Sequence, residues 1–581
     1  MIGKITYISN NMAHIKPSGN VSSNLMNMHV IFEDKDKKIL GEIEDISPDN
    51  IKVNFLGEIA GDYFIGGVVR KPTYESVVRM INPEELKIII GEQGPGNFQI
   101  GTSALYDNYP INANINDFFS NHSAIFGNSG SGKSYGTARL LQNVFQNPHM
   151  QPYRANFLIF DTFGEYHNAF SKLSEINPNY QFKYYTTNSS DTSGETLKIP
   201  VYLLEQDDLA LLLSVTDHSQ LPIIEQMLKL VKIFASDSDM TLNYKNHIIA
   251  KAIMNILYSN ESASSKKNDI FNIFNTCTTE QFNPEAIVQG AGYTRKFREL
   301  FLINDKGNFS ESILLSEYTT SFINQELDNY EERNFNYYTL EDLEKALNFA
   351  LISEGLLKNE KIYSGAIAIK VRLHSIIISE NSRFFKMNDL LNKEQFISTL
   401  VSKNNRKAQV INFNLEDVED WFVKFTTQFF VKLLFNYTKN SSARASIPFH
   451  IFLEEAHRYV QNDNDINLLG YNIFERVAKE GRKYGLILTL ISQRPVELSD
   501  TVISQMGNFL IFKITHPLDV EYIRKMLPNI SNEIVEKQKG LQPGTCMAFG
   551  RAFKIPMIVK MQLPDPVPES SNCDIITTWQ S

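Results

Sequence analysis

The stretch that decides the fold is GNSGSGKS, residues 127–134. It follows a short apolar run at 123–126 and precedes a segment at 135–141 in which apolar residues have helical spacing. This is the G-x-x-x-x-G-K-[ST] phosphate loop in the strand–loop–helix context that it requires. Its glycines let backbone N–H groups turn inward around phosphates, and the following helix N-terminus favours their negative charge. The stretch therefore predicts an α/β domain that binds a nucleoside triphosphate.

Side chains of this loop have distinct predicted roles. Lys133 would reach the β- and γ-phosphates, and the Ser134 hydroxyl would be a ligand of Mg²⁺. We predict that the nucleotide is bound by a continuous set of residues: Gly127, Asn128, Ser129, Gly130, Ser131, Gly132, Lys133, Ser134 and Tyr135.

An apolar run at 449–453 ends in two adjacent carboxylates, Glu454 and Glu455. Phosphoryl transfer to water needs a metal anchor and a group that orients the attacking water. We assign Glu454 to the Mg²⁺ shell and Glu455 to the polarisation of water. Alone, such a pair could be the solvated start of a helix, but the phosphate loop upstream favours the catalytic interpretation.

Two further apolar runs end in polar residues that fit the same site. The run at 156–160 ends in Asp161, which we predict as a further metal ligand, and the run at 485–491 precedes Gln493, which could sense the γ-phosphate. Ligand groups of open α/β sheets gather at the carboxyl ends of the strands. With a further strand at 508–514, these runs predict one RecA-like P-loop ATPase core.

A basic stretch, ERVAKEGRKY at 475–484, lies just before the run that leads to Gln493. An arginine at the edge of such a domain can reach the nucleotide of a neighbouring subunit as an arginine finger. Arg482 is the first candidate, followed by Arg476 and Lys483. The alternative is a solvated basic helix end, which the helix dipole favours.

Composition limits the class of protein. A chain of 581 residues is too long for one hydrophobic core, and its 43% apolar and 21% charged residues are typical of soluble globular proteins. The sequence contains no run of eighteen apolar residues, so it does not indicate a membrane span. Its start, MIGKITY, resembles a strand rather than a signal peptide. The net charge of −10 argues against a globally basic nucleic-acid binder but leaves room for a local basic lining. A cytoplasmic protein is predicted from three dispersed cysteines without metal spacing: Cys277, Cys546 and Cys573.

Changes of pattern along the chain predict its domains. Short β-type runs separated by turns indicate a small N-terminal β-barrel for oligomerisation or docking, and helical spacing such as that at 221–234 indicates an inserted helical bundle. A Pro-rich C-terminal arm either clamps a neighbour or partner or is a frayed terminus. The predicted limits are 1–100 for the barrel, 101–204 and 401–563 for the two parts of the ATPase core, 205–400 for the helical bundle and 564–581 for the arm.

Five motifs in this order resemble the HerA branch of the FtsK–HerA ATPases: NHSAIFG at 121–127 leading into GSGKS, DTFGEY at 161–166, EEAH at 454–457, EGRKYG at 480–485 and SQRP at 492–495. The N-terminal block resembles the small barrel of that family, and 540–556 resembles its C-terminal strands. The chain departs from the family in two places. Glu454 stands where Asp is usual, and Thr162-Phe163 replaces Pro-His before the GEY triplet.

The resemblance implies a homo-hexameric ring that hydrolyses ATP with Mg²⁺ and translocates along double-stranded DNA as a helicase. It further implies a partner nuclease or, in anti-phage defence, an effector enzyme such as an NAD-consuming one. An alternative is a nucleotide-gated ring scaffold that assembles and activates its partner, with hydrolysis as a timer. A conjugation-type pump is disfavoured because the sequence has no membrane segment or obvious anchor.

Overall fold

A computed structural model describes residues 2–19, 25–34, 37–236, 238–328, 330, 336–353, 360–462, 465–526, 532–570 and 575–580. The chain divides into two compact units. The first comprises Met1–Thr196, Ile397–Asn464 and Tyr471–Ser581, and the second comprises Leu197–Phe396 and Asp465–Gly470. The domain limits predicted from the sequence stay predictions.

The first unit begins with a seven-stranded antiparallel sheet in the order β1-β2-β5-β4-β3-β7, with β6 paired to β5. Its strands are β1 (Gly3–Ile8), β2 (Met12–Pro17), β3 (His29–Asp34), β4 (Lys37–Ser47), β5 (Asn50–Ala60), β6 (Tyr63–Gly66) and β7 (Val77–Met80). Alternate apolar side chains such as Ile15, Val53 and Val78 are fully buried on the side of the sheet that forms its hydrophobic core. The Ile2 N–H donates to the Val78 carbonyl over 2.8 Å, so the two ends of the strand order meet. Closure of this sheet into a small barrel stays a prediction.

Twelve strands form the central sheet among the described residues, in the order β13-β12-β18-β11-β19-β20-β10-β21-β22-β23-β8-β9. The first eight strands of this order are mutually parallel and the last four are antiparallel. The strands that complete the chain, including the separate hairpins β14–β15 and β16–β17, are β8 (Asn97–Ser103), β9 (Pro110–Asn114), β10 (Ser123–Phe126), β11 (Phe157–Asp161), β12 (Phe182–Thr186), β13 (Glu195–Thr196), β14 (Ile287–Gln289), β15 (Thr294–Lys296), β16 (Ser402–Lys403), β17 (Arg406–Lys407), β18 (Val410–Asn414), β19 (Phe449–Leu453), β20 (Leu486–Ser492), β21 (Asn508–Ile511), β22 (Thr545–Gly550) and β23 (Met557–Lys560).

The fold is thus α/β with a mixed sheet. Helices in both units complete it: α1 (Pro83–Ile90), α2 (Ile115–Phe119), α3 (Lys133–Phe145), α4 (His167–Ser171), α5 (Leu173–Ile176), α6 (Gln206–Leu212), α7 (Leu221–Phe234), α8 (Asp239–Leu257), α9 (Ala263–Thr276), α10 (Ser312–Thr320), α11 (Leu340–Ser353), α12 (Glu360–Ile378), α13 (Lys393–Leu400), α14 (Asp420–Lys439), α15 (Asp465–Leu469), α16 (Ile473–Tyr484), α17 (Asp500–Ile503), α18 (Pro517–Met526), α19 (Asn532–Lys539) and α20 (Ile575–Gln580).

The parallel part of the sheet positions the site. Strands β10, β11, β19 and β20 are buried along their whole length, as their continuous apolar sequences require of strands covered on both faces. Strand β20 lies between β10 and β19, so the phosphate-loop strand and the strand that precedes the acid pair share one neighbour. Helix α3 packs on β8 and β10, and α14 and α16 pack on β20.

The second unit is mostly helical. Helix α7 begins with Leu221-Pro222, where the missing N–H of proline leaves no helical hydrogen bond unmade. Its side chains Ile224, Met227 and Val231 recur at helical spacing and are completely buried, and α7 packs on α11. Whether this unit is a functional insertion stays a prediction.

No helix among the described residues has both the length and the apolar content to cross a bilayer. Cys277 and Cys546 are buried and free, while Cys573 lies outside the described residues. So do 571–574 and 581 of the predicted C-terminal arm.

Candidate active site

The phosphate loop connects β10 to α3 through two left-handed glycines. Gly130 has φ 72° and Gly132 has φ 104°, and α3 begins at Lys133. Side chains disfavour such φ values, and a Cβ on Gly132 would lie 2.9 Å from the Gly544 nitrogen. The glycines are therefore required by the turn and by the close approach of the loop before β22.

The rest of the loop is held by its own polar groups. The Ser131 hydroxyl donates to the Asn128 carbonyl over 2.7 Å, and Asn128 Nδ2 donates to Thr515 Oγ1 over 2.6 Å. Ser129 is exposed at the tip, whereas Gly127 is buried under the loop and Tyr135 is half-buried in the first turn of α3. A Cβ on Gly127 would lie 2.6 Å from Ser131 Oγ. The predicted nucleotide-binding residues thus form one compact turn.

Lys133 is buried, with 8% of its surface exposed, and Nζ donates to the Asn128 carbonyl over 3.0 Å. Burial lowers the pKa of Lys133, while the charges of Glu455, Glu454 and Glu165 act to raise it. The lysine that the sequence assigns to the phosphates therefore faces three carboxylates.

Glu455 follows β19 in a left-handed conformation, with φ 45° and ψ 44°, which is unusual for a residue with a side chain. Gln493 Nε2, just after β20, donates to Glu455 Oε1 over 2.9 Å. His457 Nδ1 lies 3.2 Å from Glu455 Oε2 and 3.1 Å from Ser492 Oγ. Burial raises the pKa of Glu455, and Lys133 and the Gln493 hydrogen bond oppose that rise. The predicted water-polarising acid is thus held by the ends of two adjacent strands.

Glu454 is 3% exposed, and its Oε2 has no hydrogen-bond partner among the described residues. Burial raises its pKa well above the ordinary range, and the neighbouring charges of Asp161 and Glu165 raise it further. An unpartnered buried carboxylate beside other carboxylates is unfavourable unless a cation balances it.

Asp161 is completely buried at the end of β11, and its carboxylate accepts hydrogen bonds from two backbone N–H groups and one amide side chain. Its Oδ1 accepts from the Glu165 N–H over 3.0 Å, and its Oδ2 accepts from the Tyr166 N–H over 2.9 Å and from Asn412 Nδ2 over 3.1 Å. These bonds fix the turn that follows β11. The metal-ligand role predicted for Asp161 stays a prediction, and its observed contacts are those of a residue that organises the turn.

Glu165 is a candidate that the predicted site set did not contain. Its Oε2 is buried without a hydrogen-bond partner among the described residues. Burial raises its pKa, and the charge of Asp161 adds to that effect. The available signal was the acid in the GEY triplet, four residues after the strand-ending Asp161 and therefore within the same turn.

These residues fit a magnesium ion. The Ser134 hydroxyl and the unpartnered oxygens of Glu454 and Glu165 are the hard oxygen donors that Mg²⁺ prefers. Asp161, Glu165, Glu454 and Glu455 interact electrostatically in one region in which Lys133 is the cation at the phosphate loop. A divalent cation would balance this excess of carboxylates.

Arg482 does not lie beside these residues. Its Nε donates over 3.2 Å to the carbonyl of Ser120, which precedes β10, whereas the phosphate loop follows β10. The four-residue strand alone separates the two positions by about 13 Å. Burial lowers the pKa of Arg482, and the nearby Arg551 lowers it further. Arg482 therefore lies at the end of the sheet where β10 begins, whereas the phosphate loop of its own chain lies at the end where β10 finishes.

Comparison with known proteins agrees with these motifs. Residues 98–287 match the family model described as "Helicase HerA, central domain". The chain is 34% identical over 146 residues to the DNA double-strand break repair helicase HerA of Saccharolobus solfataricus, covering 25% of this chain and 28% of that protein. It is 26% identical over 288 residues to that of Sulfurisphaera tokodaii, covering 49% and 56%. Over 550 residues it is 22% identical to the probable helicase MJ1565 of Methanocaldococcus jannaschii, covering 94% and 79%.

Two of these matches therefore span only 28% and 56% of the curated relatives' lengths. Among solved structures, VirB4 of Thermoanaerobacter pseudethanolicus has a TM-score of 0.44 at 12% identity, covering 81% of this chain and 97% of that one. The bacterial conjugative coupling protein TrwB has a TM-score of 0.42 at 12% identity, covering 84% and 94%. The family match over residues 98–287 and the curated relatives confirm the resemblance that the motifs indicate: the chain is similar to HerA helicases.

Proposed function

We propose that the protein hydrolyses ATP and uses the energy to translocate along double-stranded DNA as a ring of six identical subunits. One observation carries the proposal. The phosphate loop brings together Lys133, Glu454 and Glu455, whereas Arg482 lies at the other end of the strands of the sheet. The first group has the residue types that phosphoryl transfer needs, and the position of Arg482 supports a role toward a neighbouring copy of the chain.

Within one site, the residues divide the chemistry. The loop N–H groups and Lys133 hold the phosphates, and Glu455, oriented by Gln493, positions a water for in-line attack. Ser134, Glu454 and Glu165 would hold Mg²⁺, which supplies neutralisation of the charge on the phosphate oxygens. The buried surroundings of Glu454 and Lys133 strengthen each of these electrostatic interactions.

The position of Arg482 supports the ring if Arg482 is an arginine finger. An arginine finger that cannot reach the nucleotide of its own chain acts in trans, so the site is complete only where two subunits meet. A closed ring gives every subunit an equivalent neighbour. The number six, and the function of the N-terminal sheet as a docking module, rest on the resemblance to the HerA branch.

The substrate and partners rest on the relatives. Those named DNA double-strand break repair helicases support DNA as the track, and the HerA resemblance supports a partner nuclease or, in anti-phage defence, an NAD-consuming effector. The predicted cytoplasmic location rests on the dispersed cysteines, of which Cys277 and Cys546 are free.

The decisive experiment measures ATP turnover with and without duplex DNA at low salt, with Lys133→Ala as the inactive control, and measures assembly mass in parallel. We expect a ring whose turnover is stimulated by duplex DNA. A ring that neither binds DNA nor responds to it would refute translocation. If that ring still hydrolysed ATP, the scaffold alternative would replace it.

A further inference from the structure

The residues that follow β21 run beside the phosphate loop, because β21 and β10 are neighbours in the central sheet. The Asn128 N–H donates to the Lys513 carbonyl over 2.9 Å, and Asn128 Nδ2 donates to Thr515 Oγ1 over 2.6 Å. The segment 513–515, termed here the flanking segment, therefore holds one loop residue through both its backbone and its side chain.

Asn128 passes this contact on to the rest of the loop. Its carbonyl accepts from Lys133 Nζ over 3.0 Å and from the Ser131 hydroxyl over 2.7 Å. A displacement of the flanking segment would thus reach Lys133 through two successive hydrogen bonds. The place of the flanking segment therefore bears on the lysine that is expected to hold the phosphates.

Helix α19 fixes the flanking segment at its middle residue. Gln538 Oε1 accepts from the Ile514 N–H over 2.7 Å. Gln538 is 2% exposed and Ile514 is completely buried. A buried N–H without an acceptor is costly, so this bond specifies where the flanking segment lies.

The other polar atom of the same amide argues against packing as the only role of Gln538. Its Nε2 is buried and has no hydrogen-bond partner among the described residues, which is unfavourable. An unbranched apolar side chain such as that of methionine would fill the space without this cost. The amide is explained by its oxygen, which the flanking segment uses.

We propose that Gln538 is a positioning residue of the nucleotide site, which keeps the flanking segment against Asn128 and the phosphate loop in the arrangement that receives the nucleotide. This inference rests on the proposed function, because it assigns a further residue to the same ATP site. Bound nucleotide would itself favour the receptive arrangement. Loss of the Gln538 bond should therefore weaken binding and leave the chemical step unchanged.

The test replaces Gln538 by Met in the full-length protein, which removes the acceptor and keeps the length of the side chain. Loss of one hydrogen bond predicts a roughly three- to tenfold rise in the Kd of a fluorescent ADP analogue with Mg²⁺ and in the KM for ATP. The kcat at saturating ATP should stay that of the natural protein. The unfolding temperature should change little, because the substitution also removes the unpaired Nε2.

Thr515 offers a second route to the same contact. It is exposed and bonds Asn128 directly, so Thr515→Val should fold normally and raise the Kd, whereas Thr515→Ser keeps the hydroxyl and should bind as the natural protein does. Because Gln538 and Thr515 act through one segment, the double variant should weaken binding by less than the product of the two single effects.

The matched control is Lys537→Met, the same replacement one residue earlier in α19. Lys537 Nζ pairs with Glu42 of the N-terminal sheet over 2.7 Å. The control therefore removes a different contact of this helix and leaves the acceptor of Ile514 in place. Its affinity for the analogue should equal that of the natural protein.

The outcomes separate the two proposals. If Gln538→Met binds as tightly as the natural protein, or Lys537→Met weakens binding equally, the positioning inference is wrong although the ATP site stands. A fall in kcat with unchanged binding would overturn it too. If Gln538→Met does not fold, equal binding by Thr515→Val and Thr515→Ser refutes it. If the natural protein binds no analogue, the proposed function fails and this inference fails with it.

Discussion

Gln493 and Glu455 are joined by a hydrogen bond of 2.9 Å between Nε2 and Oε1, which connects the end of β20 to the residues after β19. Glu455 occupies the left-handed region, a conformation that costs about 1–3 kcal/mol for a residue with a side chain. The surrounding structure maintains this strain, and the amide fixes where the carboxylate points. The acid and the amide therefore act as one oriented pair.

Replacing Glu455 by Gln should separate binding from chemistry. The isosteric amide keeps the packing but is a poor acceptor for a water proton, so we expect ATP turnover to fall roughly 10²- to 10⁴-fold with nucleotide binding retained. Single-turnover hydrolysis and equilibrium binding check this. Lys133→Ala is the comparison, because it should lose binding as well as turnover. Hydrolysis that persists in Glu455→Gln would assign the water-orienting function to another group.

Arg482→Ala should leave nucleotide binding intact and lower turnover roughly 10³-fold or more, as expected for an arginine finger. Because Arg482 lies across the sheet from its own loop, mixing Arg482→Ala subunits with Lys133→Ala subunits should restore part of the activity. At every interface where an Arg482→Ala subunit supplies the loop and a Lys133→Ala subunit supplies the arginine, both groups are intact, whereas the opposite order lacks both. The neighbouring exposed Lys483→Ala serves as the charge control. No recovery on mixing, with mixed assembly verified, would count against action in trans.

Gly136→Ala should destabilise the first unit, although alanine usually stabilises a helix relative to glycine by about 1 kcal/mol. The added Cβ would lie 2.6 Å from Cζ of the buried Phe512 ring, and such overpacking typically costs about 1–3 kcal/mol. Thermal unfolding measures the loss. Combining Gly136→Ala with Phe512→Leu should recover part of it relative to Phe512→Leu alone. Equal losses in both backgrounds would exclude this clash as the cause.

Three buried histidines should lower stability on mild acidification, whereas the raised pKa values of Glu454, Glu455 and Glu165 act in the opposite direction. Burial lowers the pKa of three histidines to about 4 from the ordinary 6.5, and Lys537 adds to this at His29 and Arg482 at His122, whereas His450 is lowered by burial alone. Between pH 6.5 and 4 the unfolded chain therefore binds protons that the folded chain does not. Each histidine then removes about 1 kcal/mol of stability per pH unit as the pH falls through that window.

His450 offers the sharpest test of this pH dependence, because its ring packs against Phe119 and Phe157 and its Nδ1 has no partner among the described residues. In urea unfolding between pH 7 and 5, His450→Phe should reduce the histidine contribution to the slope by about a third. The exposed His149→Gln should leave the slope unchanged. An unaltered slope in His450→Phe would show that this histidine binds protons equally in the folded and unfolded states.

Sequence reasoning located the residues whose function depends on local spacing. Lys133 and Ser134 follow from one motif, and Glu454 and Glu455 follow from an apolar run that the phosphate loop upstream favours as a buried strand. The function of Asp161 was harder to assign from the sequence, because the same pattern fits both a metal ligand and a residue that accepts hydrogen bonds from the N–H groups of its own turn. Glu165 was not selected, because its importance depends on Lys133, whose charge folding brings near it from a separate part of the chain. Long-range pairing of this kind leaves no periodic signal.

The pairing of β23 with β8 joins Val559 to Ser103 and Lys560 to Thr102. During synthesis at about 5–20 residues per second, β8 must therefore wait roughly half a minute to a minute and a half for its neighbour to leave the ribosome. Until then the nascent central sheet has an unfilled place beside β8, and unpaired strand edges invite aggregation. Because β8 and β23 are far apart in the sequence, the nascent chain is prone to aggregation for a long part of its synthesis. A chaperone would be most useful during that time.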